Sequence, residues 1–285
     1  MAGLGSLALK IVATTLGALV TFALLFPVLY IVLQSLLTND RVLIIRLTDV
    51  AKYGLSVATY YKVLTDPQFL GALANSSLVA ALTIVISLLV IAPAAYGFSR
   101  FKFYGRDSLL YTYLVLSQAG GGFGIIATIA LYLFLLKLSA AGIPVLGNAF
   151  VLPLVYSSWQ VPFLTWLVKT YFDALPRELD EAAFMDGASW MTILFRVVLP
   201  ASKASLITIS LFSFMSAWGE FILASLLRVN TLAQYIYVTA FGAAGLEAPG
   251  RFAASAILFA LPVIFVYVFM QRYIGEAMRI GGLRG

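Results

Sequence analysis

Six long apolar runs, at about 10–33, 73–98, 109–136, 146–168, 205–227 and 252–274, alternate with shorter stretches in which the charged residues are gathered. A helix needs roughly 20 apolar residues to cross about 30 Å of hydrocarbon, and each run meets that length. The pattern predicts an all-α membrane protein with six transmembrane helices. The first run is preceded by Lys10, as a signal peptide would be. It is too long for a signal core, however, and Phe26-Pro27-Val28-Leu29-Tyr30 continues it with no small-residue cleavage site, which favours a retained anchor.

Between the fourth and fifth runs, residues 171–204 contain the polar stretch DALPRELDEAAFMDGASWMTILFRVVLPASKA. Pro176 suits the first position of a helix, and Glu178, Asp180 and Glu181 place negative charge in its opening turns, where unpaired backbone N–H groups favour it. Gly187 ends or turns that helix. A second short helix is expected from Ser189 to Val198, with Pro200 disfavouring its continuation. The result is a helix-turn-helix outside the bilayer. Ala182 and Ala183 carry no bulk, so a partner can approach the backbone there, and Glu181 and Asp186 offer carboxylates to basic groups on that partner. Such a segment suits docking better than catalysis.

Composition and the placement of charge change the picture. With 62% hydrophobic and 11% charged residues and a mean hydropathy of +1.01, the chain is too apolar for a soluble domain of 285 residues. If both termini face the cytoplasm, that side holds eleven Lys and Arg against seven outside, and the short loop from Arg100 to Arg106 supports this orientation most clearly. The 171–204 segment then lies in the cytoplasm. The net charge of +6 is accounted for by loops facing anionic lipid, without nucleic acid as a partner. Cysteine and histidine are absent, which removes disulfides, thiolate metal sites and His-dependent triads. A phosphate-cradling loop needs Gly-Lys followed by Ser or Thr, and Gly-Lys occurs nowhere in the chain; the run from Gly120 to Gly124 is apolar in context and lacks the lysine. ATP, if used, is hydrolysed on another subunit.

Three blocks carry a resemblance to the permeases of binding-protein-dependent ABC importers, in the branch to which the smaller maltose-type sugar permeases belong. They are residues 55–106, the stretch LPRELDEAAFMDGASWMTILFRVVLP at 175–200, and RFAASAILFALPVIFVYVFMQRYIGEAMRIGGLRG at the end. Glu181, Ala182, Ala183 and Gly187 match the family's coupling motif. Leu199 and Pro200 close it at the expected distance, and Val197 stands where isoleucine is usual. The resemblance implies that this loop docks into an ATPase subunit, with Asp186 beside the motif glycine. It implies as partners a second permease subunit, two ATPase subunits holding ATP and Mg, an external solute-binding protein and a sugar. It also implies that this chain binds no cofactor, is not itself an enzyme, and lies in the cell membrane as a multi-pass protein. Residues 1–70 would form an N-terminal transmembrane helix and external connector, and 71–285 a permease core including the loop 171–204. The tail from Gly281 to Gly285 is a further candidate contact with the ATPases.

Candidate pathway residues are few. Glu220 is the one carboxylate expected well inside a membrane helix, which makes it either a pathway contact or a helix-pairing residue. Trp218 offers a face for a sugar ring or for packing. Asn75 and Gln118 could line a polar path or bond between helices. The segment 38–70 mixes basic and apolar residues, as a membrane-surface element, a binding-protein contact or a solvated connector would. Asp66 and Glu247 form no acid-base pair. Two rival functions remain: a stand-alone secondary transporter binding its coupling ion at Glu220, and an ABC permease for another small solute.

Overall fold

The computed structural model describes residues 2–241 and 248–282, with side chains described for 10–46, 48–115, 117, 124–241 and 248–271. Among these residues every regular element is helical, apart from an isolated antiparallel bridge between Leu37 and Leu55. The apolar runs become α1 (Ala2–Leu36), α4 (Pro67–Arg100), α5 (Arg106–Ala140), α6 (Val151–Asp173), α10 (Lys203–Gly219) and α13 (Pro249–Gly282). Between them lie the shorter α2 (Leu47–Tyr53), α3 (Ala58–Leu64), α7 (Glu178–Met185), α8 (Trp190–Ile193), α9 (Leu199–Ala201), α11 (Ile222–Leu226) and α12 (Leu232–Phe241).

Among the described residues, four helices are long and apolar enough to cross a bilayer: α1 from Lys10, α4, α6 and α13 as far as Gln271. A fifth span results if Trp190–Ala201 and Lys203–Gly219, bent by 89°, are taken as one. The other two runs are interrupted. Gly124 sits at φ 42°, ψ −112° inside α5, a conformation open only to glycine, and leaves 17 residues in Gly124–Ala140. The run at 205–227 breaks at Glu220, whose extended backbone (φ −80°, ψ 128°) ends α10. The apolar pattern predicts Glu220 within a helix. It ends one instead, because its carboxylate takes the N–H groups of the following turn.

The chain divides into two units, one made of residues 1–70 and 236–261, the other of 71–235 and 262–285. In the first, the connector after α1 is tied back to it. The Gln34 amide donates to Val42 O (2.8 Å) and accepts from Ile44 N (2.9 Å), and the Tyr30 hydroxyl donates to Ile44 O (2.8 Å). The segment 38–70 folds as α2 and α3, with ion pairs Lys62–Asp40 (3.2 Å) and Arg251–Asp66 (2.7 Å). Gly250 donates to Asp40 O at 2.9 Å, and a Cβ there would lie 2.7 Å from Asp40 Cα, so only glycine fits.

In the second unit, α6 packs against α5 and α10, and α4 joins them through a common core. Ile91, Ala92 and Ala95 of α4 and Leu164, Val168 and Phe172 of α6 meet Ile193, Leu194, Val198, Leu199 and Ile209. Small and hydroxylated residues let α4 and α6 approach and bond: Gln160 donates to Ser87 Oγ (2.9 Å), which donates to Ser157 Oγ (3.2 Å). The core ends directly beneath α7 and α8, and so carries the site described next.

Candidate functional site

The segment after α6 forms the expected helical hairpin, with small shifts. Helix α7 begins at Glu178 with Arg177 as its N-cap, so Pro176 precedes the helix instead of opening it. Glu178, Asp180 and Glu181 fall in the first turn, as the charge pattern required. The helix ends in a Schellman turn: Gly187 N donates to Phe184 O and Ala188 N to Ala183 O, both at 3.0 Å, with Gly187 at φ 81°. Ser189 then caps α8, its Oγ accepting from Thr192 N at 3.3 Å.

The motif residues divide between two faces. Glu181, Ala182, Asp186 and Gly187 are exposed, and beside them Phe184, Met185 and Met191 are 55%, 86% and 60% exposed. Ala183 is half-buried and packs with Ala188 against the core, which is the apolar contact that accompanies such a turn. Leu199 is buried in the same core, and Pro200 is exposed.

Beneath α7 lies a buried ionic cluster absent from the sequence reading. Asp180 accepts a hydrogen bond from the Tyr96 hydroxyl on Oδ1 (2.8 Å) and pairs through Oδ2 with Arg100 Nη2 (2.9 Å). The two charged side chains are 10% and 5% exposed. Arg100 also donates to Leu175 O (3.4 Å), and next to it Ser99 donates to Asp173 Oδ1 (2.7 Å), whose partner oxygen pairs with Lys169. Trp190 closes the cluster, edge-on to Phe101 at 5.0 Å, with Tyr96 at 6.4 Å and Phe184 at 5.4 Å. The signal in the sequence was an arginine at the end of an apolar run and an acid in the loop, but spacing along the chain cannot pair them.

The second arm of the hairpin is not a uniform helix. After α8, Leu194–Val198 form a π-helical turn, and Leu199 N donates to Leu194 O, five residues back. Pro200 lacks an N–H and its ring would crowd the Arg196 carbonyl, four residues earlier; the wider turn relieves that clash. Pro200 therefore lies inside the short α9 and does not end the arm as expected. The break comes at Ser202 (φ −108°, ψ 59°).

A cavity of about 780 Å³ opens between α5 and α6, lined by Tyr113, Ser117, Thr128, Ser158, Trp159 and Glu220, among others. One Glu220 oxygen accepts from Leu223 N (2.8 Å); the other accepts from Ala224 N (3.3 Å) and from the Tyr156 hydroxyl. Trp218 is 4% exposed, stacked on Phe214 at 5.2 Å and absent from the cavity lining; Trp159, 45% exposed, presents the aromatic face there. Asn75 donates to Asn230 O (2.9 Å), and neighbouring Ser76 accepts from Leu232 N (2.7 Å), so Asn75 holds a loop. The side chain of Gln118 and the tail residues Leu283, Arg284 and Gly285 lie outside what the structure describes. Among the described residues no group of three His, Cys, Asp or Glu is placed to hold a metal ion.

Residues 76–280 match the family described as the inner membrane component of binding-protein-dependent transport systems. The trehalose/maltose transport system permease protein MalG of Thermococcus litoralis is 30% identical over 284 residues, covering 97% of this chain and 98% of its own. The maltose/maltodextrin permease protein MalG of Vibrio vulnificus is 32% identical over 243 residues, or 81% and 79% of the two chains. In fold, the chain is similar to one from a bacterial ABC transporter that imports the acidic polysaccharide alginate, with a TM-score of 0.73, 24% identity, and 94% and 97% of the two chains covered.

Proposed function

The chain belongs to the inner membrane components of binding-protein-dependent transport systems, a family of multi-pass membrane proteins, and from that membership we propose that it is the sugar-importing permease half whose α7–α8 hairpin receives force from a separate ATPase. The single observation that carries this reading is the exposed end of α7. There Glu181, Ala182, Asp186 and Gly187 stand at the surface among Phe184 and Met185, while the opposite side is fastened to the core. Exposed apolar side chains flanked by carboxylates fit a partner surface with a hydrophobic cleft and basic rim.

In this reading six spans are completed by counting interrupted α5 and bent α10, both termini face the cytoplasm, and residues 71–285 act as the permease core. ATP and Mg are held by two ATPase subunits, since this chain has no Gly-Lys with which to cradle a phosphate. Closure of those subunits draws the hairpins together and reverses the side to which the solute path opens. A second permease subunit completes that path, and an external binding protein delivers the solute. The relatives named for trehalose, maltose and maltodextrin transport favour a sugar or oligosaccharide as cargo. The cavity beside Trp159, with hydroxyls from Tyr113, Ser117, Thr128 and Ser158, is the stretch of path this chain would supply.

The test is purification of the chain in mild detergent with its bound subunits, followed by ATP-driven oligosaccharide uptake in proteoliposomes. Copurification of a P-loop ATPase is expected, and Glu181→Lys and Gly187→Pro should abolish uptake while the protein remains in the membrane. Normal ATP-driven uptake by both variants would sink the docking assignment. Uptake by the chain alone on an ion gradient would return attention to Glu220.

A further inference from the structure

Helix α7 has only eight residues and is joined to α6 by residues 174–177 and to α8 by a glycine turn. Joined by these alone, it could pivot without moving the helices that enclose the solute path. We propose that Arg100 and Asp180, with Tyr96, are positioning residues that fasten α7 to the end of α4, so that α4 carries displacement of the docked hairpin into the membrane. This inference rests on the docking role proposed above and names the route by which docking acts.

Three observations support it. The tie joins residues far apart in sequence, Tyr96 and Asp180 being 84 positions apart, so it constrains α7 independently of its own linkers. It is charged and buried, at 5% and 10% exposure, and so is little weakened by salt or competing water. It also has a stop against sliding. Apolar faces tolerate small shifts in register, whereas a slip of α7 along α4 would leave a buried guanidinium and a buried carboxylate unpaired. The flanking contacts act in parallel: Ser99 holds Asp173 at the end of α6, and Phe101 abuts Trp190 at the start of α8. The end of α4 thus grips the segments before and after α7 as well as α7 itself.

The test uses the intact complex with its ATPase, reconstituted in proteoliposomes. Arg100→Met/Asp180→Leu removes both charges and leaves neither stranded. Its expected behaviour is normal copurification of the ATPase and retained ATP hydrolysis, with oligosaccharide uptake per ATP hydrolysed reduced about tenfold, within the range for substitutions along a coupling route. A role in folding alone would lower the amount of complex and leave that ratio unchanged. Because the chain has no cysteine, Lys102→Cys and Glu178→Cys, the latter at the start of α7 and away from the docking face, can be spin-labelled without other changes to the chain. Their distance distribution is expected to be narrow in the parent complex and broad in the double variant. Should the double variant fail to assemble, Arg100→Lys decides, since it keeps the charge but shortens the reach; uptake per ATP should fall about two- to threefold. An unchanged ratio in whichever variant assembles would overturn the fastening role while leaving docking intact. Loss of ATPase copurification from the parent chain would instead defeat the docking reading itself.

Discussion

Asp180 and Glu220 are both acids drawn into the second unit, and they are stabilised in opposite ways. Asp180 meets a cation and a phenol from α4, a helix remote in sequence. Glu220 takes the N–H groups of Leu223 and Ala224, three and four residues ahead, with a Tyr156 hydroxyl from α6, and no ion pair to it is present among the described residues. The first arrangement fastens separate elements together. The second mainly shapes the chain locally: it stops α10, restarts it as α11, and leaves the carboxylate on the rim of a cavity. A carboxylate drawn in from solvent is thus no guide to role until its partners are known.

Removing each acid separates the two arrangements. Asp180→Ala strands Arg100 and should cost about 3–5 kcal/mol, read as a lowered midpoint of thermal unfolding in detergent. Gly187→Pro comes next: proline cannot adopt φ 81° and its missing N–H breaks the bond to Phe184 O, so the hairpin should lose about 3 kcal/mol, seen as protease cleavage between α7 and α8 in a protein otherwise inserted normally. Glu220→Ala should cost less, about 1–3 kcal/mol for backbone donors left unpaired, and exchange protection at Leu223 and Ala224 should fall while that of α7 is unchanged. Equal losses for Asp180→Ala and Glu220→Ala would erase the distinction. Tyr156→Phe and Tyr96→Phe each remove one hydrogen bond, worth about 1 kcal/mol in a membrane protein. Tyr96→Phe should loosen α7 and Tyr156→Phe should not, as measured by spin-label distances.

Local features of the hairpin were legible in the sequence because the residues that determine them are neighbours. Acids in the first turn, Gly187 at the turn and Ser189 ahead of α8 all act within a few positions, and the structure follows them closely. Pro176 and Pro200 were displaced in role by one or two residues, since proline forbids certain conformations without fixing where a helix begins or ends. Arg100 was read only as a positive residue at a membrane face and Asp180 only as first-turn charge. Their pairing depends on how α4 and the hairpin pack, which no spacing along the chain encodes. Trp218 and Trp159 illustrate the same limit. Both are aromatic residues in apolar runs, and only the packing of Trp218 on Phe214 turns one inward while Trp159 borders the cavity.

The π-helical turn at Leu194–Val198 has a consequence for tolerance of length change. A helix advances about 100° per residue, and this turn accommodates one residue beyond a regular helical path just before Pro200. Deleting a single residue within the turn would return it to regular spacing with α8 facing as it does now, and would bring the Pro200 ring back against the carbonyl four residues before it. Deleting one in α8 instead would rotate α7 by about that angle and turn Glu181 and Ala182 away from the surface they now occupy. Surface loops ordinarily absorb insertions and deletions. This segment, pinned by buried Ile193, Leu194, Val198 and Leu199, should accept few, and a scan of single-residue deletions across 188–202 should show loss of uptake with membrane insertion preserved, smallest within 194–198.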